Sequence, residues 1–207
     1  MDHEIKILIA DDHTIVRAGI KTLLGFQQGF KVIGEAADGN EAIDVVKRLH
    51  PDVAIMDLMM PVMDGIEATR TIIKEHLGTA VIILTTFTQS EGIATALAEG
   101  ALGALAKTAT STELVAAIRT VAKGEHFISD EIRQMLAEEP PLPALTEKQL
   151  DILASVTRGL SNEDIGRLFG ISPNSVKKQL KSIFAKLNVA TRAEAVALAM
   201  RKYLLKI

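Results

Sequence analysis

The stretch VAIMDLMMPVMDG, residues 53–65, is the part of the sequence from which the N-terminal fold is predicted. Its first four residues are apolar without interruption, which is typical of a short strand buried on both faces of a parallel sheet. Asp57 follows this run directly. The pattern therefore predicts a carboxylate at the carboxyl end of a buried strand, which is where open α/β sheets bind their ligands.

Further apolar runs of the same kind flank this strand, at residues 5–10, 31–36, 80–84 and 102–106. Amphipathic helical patterns lie between runs, because apolar residues recur there at intervals of three and four positions. Alternating strands and helices predict a doubly wound, five-stranded parallel α/β sheet over roughly residues 1–123.

Polar residues stand at the predicted ends of four of these strands. Asp11 and Asp12 follow the first strand, Asp57 follows the third, Thr85 ends the fourth and Lys107 follows the fifth. Parallel strands bring their carboxyl ends to one edge of the sheet, so we expect these side chains to be neighbours. Clustered carboxylates require a cation, and an oxygen-only site with few protein ligands suits Mg²⁺.

The same residues have ordinary interpretations when each is taken alone. An Asp at a strand end is commonly a helix cap, an isolated Lys is commonly solvated, and Thr85 is a β-branched residue suited to a buried strand. Their combination at correctly ordered strand ends favours a site in which Lys107 and Thr85 receive an anion. An Asp in such a site can act as a nucleophile and carry an acyl phosphate.

Charge is divided unevenly along the 207 residues, although the net charge is only −3. Residues 1–144 carry 12 Lys and Arg against 21 Asp and Glu, whereas residues 145–207 carry 11 against 5. An acidic module joined to a basic one predicts two domains with different partners, the basic one meeting a polyanion. The alternative is that charge simply varies along the chain.

Several classes of protein are excluded by composition. The chain contains no Cys, which excludes disulfides and thiolate metal sites, and only 3% of its residues are aromatic, which disfavours base-stacking surfaces. The N-terminus lacks the pattern of a signal peptide, and no apolar run approaches the roughly 20 residues that cross a bilayer. These features predict a soluble, cytoplasmic protein without membrane partners.

The segment 124–144 is predicted to be a linker that contains a short helix over 129–139. Three prolines, at 140, 141 and 143, would end that helix and keep the chain extended. Beyond it, N-cap signatures predict four helices near 146–158, 161–168, 172–187 and 191–204. The predicted domains are thus 1–123, 124–144 and an all-α module at 145–207.

The predicted helix 172–187 has one apolar and one basic face. Its apolar positions recur at helical spacing, and its basic face is formed by Asn174, Lys177, Lys178 and Lys181. A helix, a turn containing Gly170 and then a helix with a basic outer face is the geometry that enters a DNA major groove. For an isolated helix, the alternative is a merely solvated face, but the partner helix and the module's charge favour DNA.

Residues 7–13 (ILIADDH), 57–65, 84–86 (LTT) and Lys107 resemble the receiver domain of two-component response regulators, which has a flavodoxin-like fold. The resemblance implies that Asp57 accepts a phosphoryl group from a histidine kinase in a reaction that requires Mg²⁺. It also implies roles for further residues. The metal would be held by Asp12 directly, by Asp11 through water, by Asp57 and by the backbone carbonyl of Met59; Thr85 and Lys107 would bind the phosphoryl oxygens, and Pro61 and Gly65 would shape the loop after Asp57.

The sequence departs from this family at Ala104, three residues before Lys107, where the family usually has Tyr or Phe. Rotation of that aromatic ring helps to report phosphorylation in the family. The chemistry at Asp57 should survive the change, but the usual readout has no ring to move. The sequence leaves open whether Leu105 or Phe87 occupies the corresponding volume.

Residues 145–205 resemble the LuxR/NarL-type helix-turn-helix, on motifs that include LTE at 145–147, GLSN at 159–162 and Val176-Lys177. The resemblance implies that the helix from Ser172 reads the groove and that the helix from Thr191 forms a homodimer contact when the protein is phosphorylated. The residues expected at that contact are Ala195, Val196, Ala199, Met200 and Tyr203. Equally compatible with the pattern is an intramolecular core formed by all five.

These residues are compatible with three functions. The first is a phosphorylation-controlled transcriptional regulator that is not an enzyme. The second is a phosphatase that uses Asp57 as its nucleophile; such enzymes favour a second Asp two residues on, where this chain has Met59. The third is a DNA-binding protein whose N-terminal domain binds proteins without a phosphate switch. The complete acidic set favours the first function.

Overall fold

The computed structural model describes residues 4–86, 90–138, 145–201 and 204. The chain forms two compact units, Met1–Pro140 and Pro141–Ile207. The first unit therefore extends beyond residue 123, where the sequence predicts that the N-terminal domain ends.

Strands and helices alternate along the first unit as the apolar runs predict. Its elements are β1 (Ile5–Ala10), α1 (Thr14–Gly25), β2 (Phe30–Ala36), α2 (Gly39–Leu49), β3 (Val53–Met56), α3 (Gly65–Lys74), β4 (Ala80–Thr85), α4 (Ser90–Ala98), β5 (Gly103–Ala106), α5 (Ser111–Val121), β6 (Phe127–Ile128) and α6 (Asp130–Glu138).

All strands of the described sheet are parallel, in the order β2-β1-β3-β4-β5-β6. The direction of strand addition reverses between β1 and β3, which creates the crevice where doubly wound sheets bind ligands. Ala10 of β1 pairs with Met56 of β3, and Thr85 of β4 pairs with Ala106 of β5. β1 therefore ends level with β3 and β4 ends level with β5, while β4 extends two residues beyond β3 because Met56 pairs with Ile83. The residues that follow these strands share one edge of the sheet.

Each face of the sheet is covered by a separate apolar cluster. Successive strand residues point to opposite faces, so Val81 and Ile83 of β4 join one cluster while Ile82 and Leu84 join the other. Burial of each such aliphatic side chain contributes about 1.5–3 kcal/mol. A sheet covered on both sides explains why the strand runs are apolar without alternation.

The five predicted strands are confirmed, but the sheet has a sixth strand, β6, at its edge. β6 contains only Phe127 and Ile128, which pair with Gly103 and Ala104 of β5. Two residues are too few to produce a recognisable strand pattern. Behind β6, α6 packs its fully buried Ile132 into the cluster that covers one face of the sheet. Much of the segment predicted as a linker is thus part of the first unit's core.

The second unit is helical over its described residues, as predicted. It contains α7 (Glu147–Thr157), α8 (Asn162–Phe169), α9 (Pro173–Lys186) and α10 (Arg192–Arg201). Capping boxes form at the start of α7, between Thr146 and Gln149, and at the start of α8, between Ser161 and Asp164, where the sequence predicts that helices begin. These reciprocal bonds satisfy backbone groups that a helix terminus leaves without partners.

Two glycines make the tight turn between α8 and α9 possible. Gly170 ends α8 with a φ of 64°, in the left-handed region that glycine adopts without steric cost. A Cβ at Gly166 would lie 2.7 Å from the carbonyl oxygen of Ile171, so only glycine permits this approach of the turn to α8. Ser172 then caps α9 through the backbone N–H of Ser175, with Pro173 as the first helical residue.

In the part of the chain that the structure describes, no helix combines the length and the apolar character needed to span a bilayer.

Candidate functional site

The carboxyl edge of the sheet brings together the polar residues predicted from the strand ends. The backbone N–H of Asp57 donates to the carbonyl of Ala10 over 2.8 Å, which joins the ends of β3 and β1. The N–H of Lys107 donates to the carbonyl of Thr85 over 2.6 Å and joins the ends of β5 and β4. These backbone bonds place the side chains of residues distant in sequence around one acidic pocket.

Lys107 binds two carboxylates inside this pocket. Its Nζ lies 2.7 Å from Oδ2 of Asp11 and 2.8 Å from Oδ2 of Asp57. The side chains of Asp11 and Asp57 are 2% and 4% exposed, so the contact lies out of bulk water. Buried charges are tolerated only when they are paired, and here one cation is shared by two anions.

Burial and pairing act in opposite directions on these groups. Burial raises the pKa of Asp57 above its usual range, and the hydrogen bond from Lys107 offsets this only in part. Burial also works to lower the pKa of Lys107, but the hydrogen bonds to Asp11 and Asp57 outweigh it and raise that pKa. Pairing outweighs burial for Lys107 but not for Asp57, because the lysine has two carboxylate partners while the two carboxylates share one cation.

The pocket offers four ligand atoms to a metal ion. One atom each from Asp11, Asp12, His13 and Asp57 lies within 4.8 Å of the others. Sequence reasoning missed His13, although it directly follows the acidic pair; its Nδ1 lies 2.7 Å from Asp12 and 3.1 Å from Asp11. Met59 contributes a backbone hydrogen bond to the Asp57 carboxylate, and the metal-binding role of its carbonyl stays a prediction.

Gly65 allows the loop after Asp57 to close tightly. A Cβ at this position would lie 2.0 Å from the carbonyl oxygen of Asp57, which no side chain can accommodate. The N–H of Gly65 donates to the carbonyl of Leu58 over 3.0 Å, and Asp64 caps α3 through the N–H of Glu67. The predicted role of Gly65 in shaping the loop therefore has a steric cause.

Ala104 lies in a covered position on the face of the sheet to which Thr85 belongs. It is fully buried, and its carbonyl accepts a hydrogen bond of 3.1 Å from the N–H of Ser129, at the start of α6. Ile132 of α6 packs in the same cluster as Ala104, whereas Leu105 packs in the cluster on the opposite face. Leu105 therefore does not replace the missing ring, and Phe87 lies outside the described residues.

The second candidate site is the outer face of α9. Val176, Leu180 and Ile183 are buried against the other helices of the unit. The four residues predicted to meet DNA are all exposed and lie on the opposite side of the helix: Asn174, Lys177, Lys178 and Lys181. The charges of the three lysines are therefore available to a polyanion.

The predicted dimer residues of α10 differ in their burial. Ala195 and Ala199 are buried in the unit's own core, which removes them from contact with a partner. Val196 is half-buried and Met200 is half-exposed, so these two remain available. Tyr203 lies outside the described residues.

Family models match both units of the chain. The model described as the response regulator receiver domain matches residues 7–119, and the model described as bacterial regulatory proteins of the luxR family matches residues 143–199. Sequence relatives match over nearly the full length. LiaR of Bacillus subtilis (strain 168), a transcriptional regulatory protein, is 37% identical over 97% of this chain and 99% of its own. The response regulator UvrY of Escherichia coli (strain K12) is 36% identical over 95% and 94%.

Solved structures agree with these relationships. The response regulator ChrA of a heme-sensing two-component system aligns with a TM-score of 0.60 and 31% identity, over 99% of this chain and 100% of ChrA. RcsB in its DNA complex aligns with a TM-score of 0.67 and 25% identity, over 96% of this chain and 99% of RcsB. Fold and pocket thus define a receiver joined to a helix-turn-helix module. The chain belongs to the family of two-component response regulators with a luxR-type DNA-binding domain.

Proposed function

We propose that Asp57 accepts a phosphoryl group from a partner histidine kinase and that this controls DNA binding by the second unit. The observation that carries the proposal is the buried contact of Lys107 with both Asp11 and Asp57. In the transfer, a carboxylate oxygen of Asp57 attacks phosphorus, the P–N bond to the kinase histidine breaks, and the imidazole nitrogen keeps the electron pair.

The donor set fits Mg²⁺. Carboxylate oxygens are the ligands this ion prefers, and Asp11, Asp12 and Asp57 supply them within one small cluster. When bound, the ion offsets negative charge that develops on the phosphoryl oxygens. Lys107 has the charge and position to bind a phosphoryl oxygen, and the buried Thr85 hydroxyl, which now donates to the Thr86 carbonyl over 3.2 Å, can turn to a second oxygen.

We assign the switch to contacts of α6, because the chain has no aromatic ring at position 104. Ala104 is covered by the segment that begins with Ser129 and contains Ile132. We therefore expect a conformational change at Thr85 to alter the packing of α6 rather than the rotamer of an aromatic side chain. A phosphoryl group shifts the equilibrium only by its differential affinity for the two states, so this packing determines the size of the shift.

DNA binding is assigned to α9. Lys177, Lys178 and Lys181 are exposed on one face of a helix that follows a glycine turn, with Asn174 near its start. Lysines there neutralise phosphates, and residues early in the helix reach base edges. We assign the phosphorylated form as a homodimer on two half-sites, because one short helix buries too little surface for tight specific binding. Because the target is chromosomal DNA, the proposed function includes a cytoplasmic location.

Intact-mass measurement tests the phosphoryl transfer. Incubation with acetyl phosphate and Mg²⁺ should add one phosphate to the protein, and EDTA should prevent the addition. Asp57→Asn should gain none, whereas Asp44→Asn, which changes an exposed carboxylate on α2, should gain one. A phosphate on the Asp57→Asn protein would contradict the assignment.

Two further measurements separate this function from the alternatives. Sustained release of phosphate from small phosphate esters would favour a phosphatase over a regulator. DNA binding of the same affinity with and without beryllofluoride, a phosphoryl mimic, would favour an N-terminal domain that lacks a switch. The proposed function requires no turnover of esters and a higher DNA affinity in the presence of the mimic.

A further inference from the structure

Arg17 connects the loop of the acidic pocket to the neighbouring strand. Its side chain is 14% exposed, and its Nη1 donates to the backbone carbonyl of Asp11 over 2.6 Å. Its Nη2 donates to Thr14 Oγ1 over 3.3 Å, and its Nε forms an ion pair of 3.5 Å with Glu35 of β2. One guanidinium therefore contacts the pocket loop, the start of α1 and the end of β2.

This contact acts on the segment that supplies most of the pocket's ligand atoms. Asp11, Asp12 and His13 are consecutive and provide three of the four groups that converge there. The backbone of Asp11 is held on both sides of its Cα, because its N–H donates to the Ala36 carbonyl over 3.1 Å and its carbonyl accepts from Arg17. The backbone of Asp11 fixes where its side chain begins, and the carboxylate itself is held by the N–H of His13 over 2.8 Å and by Lys107 over 2.7 Å.

The loop that carries Asp11, Asp12 and His13 is under electrostatic repulsion that a contact such as this one counteracts. Carboxylates gathered in one pocket repel one another, and this repulsion favours opening of the loop. The start of α1 provides little resistance, because His13 at its N-cap makes no side-chain capping bond and the first turn has no acidic residue. The planar fork of Arg17 donates two hydrogen bonds in fixed directions while its Nε side faces the carboxylate of Glu35, an arrangement that a lysine ammonium cannot reproduce.

We propose that Arg17 is a positioning residue for the divalent cation, anchored by Glu35 and acting through the backbone of Asp11. This inference rests on the proposed function, since it concerns the same metal site. Arg17 does not contact the cation; it holds the loop in the arrangement that binds it. Removal of groups that orient metal ligands typically weakens metal affinity by about 10- to 100-fold.

Mn²⁺ binding, followed by the electron paramagnetic resonance of the free ion, tests this proposal without any reaction. Arg17→Met should raise the dissociation constant at least about tenfold. Arg17→Lys keeps the charge but loses the fork and should fall between parent and Arg17→Met. The matched control is Lys21→Met, because Lys21 binds the same Glu35 over 2.7 Å but makes no described contact with the loop; it should bind Mn²⁺ as the parent does.

Phosphorylation by acetyl phosphate supplies a second readout. A positioning role predicts that Arg17→Met needs more Mg²⁺ for half-maximal phosphorylation but reaches the parent's rate at saturating Mg²⁺. A lowered plateau with an unchanged Mg²⁺ midpoint would overturn the inference, as would parent-like Mn²⁺ affinity in Arg17→Met. If circular dichroism shows that Arg17→Met is unfolded, the same criteria apply to Arg17→Lys. Failure of the parent itself to bind Mn²⁺ would instead contradict the proposed metal site.

Discussion

The acidic pocket of the first unit and the basic face of α9 both concentrate charge, but they do so in opposite environments. In the pocket, Asp11 and Asp57 are almost fully buried around Lys107. On α9, Lys177 and Lys181 are exposed, and the structure describes no ion pair for them. The pocket charges interact at short distance with little solvent between them, whereas the α9 charges are screened by water and salt.

This difference separates two kinds of recognition. A buried site depends on the positions of a few atoms, so it selects a small charged group and responds to single substitutions. An exposed face depends on charge density, so its affinity for a polyanion is a sum of similar contributions and depends on salt. Substitutions in the buried pocket should therefore have larger effects than substitutions on the exposed face.

Removal of Lys107 should affect stability far more than removal of an exposed lysine. In EDTA, Lys107→Met leaves Asp11 and Asp57 buried without a cation, and loss of one partner of a buried pair costs about 3 kcal/mol of unfolding free energy. Lys181→Met, the same change on α9, should stay within about 0.5 kcal/mol of the parent. Urea unfolding measures both values. Equal losses in the two variants would remove the distinction between the environments.

A large side chain at position 104 should be costly, because α6 covers this position. Ala104→Tyr adds a ring in a fully buried place and should lower the unfolding free energy by about 2 kcal/mol. Ile132→Ala alone creates a cavity and should cost about 3 kcal/mol, but the double variant should lose less than the sum because the ring uses that space. Ala185→Tyr on the exposed side of α9 is the control and should be nearly neutral. Additive losses in the double variant would show that Ile132 does not occupy the volume of the ring.

The contributions of Asp57 in the first unit and Asp164 in the second unit to the pH dependence of stability should have opposite signs. Because burial raises the pKa of Asp57, the folded state binds its proton more tightly than the unfolded state does. In EDTA, Asp57 therefore lowers stability as pH rises from 3.8 to the raised pKa, by about 1.4 kcal/mol for each pH unit between these two values. Asp57→Asn should thus be more stable than the parent at pH 7, with an advantage that disappears towards pH 3.8.

Asp164 is the contrasting case in the second unit. The hydrogen bonds from Ser161 lower the pKa of Asp164, so its contribution is present above its usual pKa and is lost as the pH falls through the lowered value. The loss of stability caused by Asp164→Asn should therefore be largest at neutral pH. Thermal unfolding of both variants between about pH 2.5 and pH 7.5 measures the two trends, because the Asp164 contribution is lost only below its usual pKa of 3.8. A parallel change with pH in the two variants would contradict the opposite pKa shifts.

The smallest expected effect is a change in how DNA affinity depends on salt concentration. Each lysine that neutralises a DNA phosphate contributes about 0.9 to the slope of log affinity against log salt, so Lys177→Ala and Lys181→Ala should each flatten it by that amount. Lys148→Ala changes an exposed lysine on α7 and is the control. Fluorescence anisotropy with labelled DNA at several salt concentrations provides the slopes. Unchanged affinity and slope in the double variant Lys177→Ala/Lys181→Ala would eliminate the assignment of the α9 face to DNA.

The fold was readable from sequence wherever a local pattern was long enough to be specific. The run at residues 53–56 and the caps at Thr146 and Ser161 correspond to observed elements. β6 was not foreseen, because two residues carry no periodicity and their pairing with β5 depends on where the chain returns.

The candidate sites show the same division. Asp57, Lys107 and Thr85 were predictable because parallel strands bring their carboxyl ends together, whatever fills the rest of the sheet. The role proposed for Arg17 was not, because its acceptors belong to three segments whose approach is a matter of packing. Burial likewise decided that Ala195 and Ala199 of α10 are core residues, since an apolar helical pattern is the same for a core and for an interface.

The sequence by itself determined the order of the first five strands and the helices between them, the acidic and basic halves, and the residue types at the strand ends. Each of these follows from chemistry within a few residues of the chain or from the general topology of parallel sheets. Only the tertiary structure decided which carboxylates share Lys107, what covers Ala104 and what holds the loop at Asp11. Such contacts join segments far apart in sequence, and their distances and burial exist only after the chain has packed.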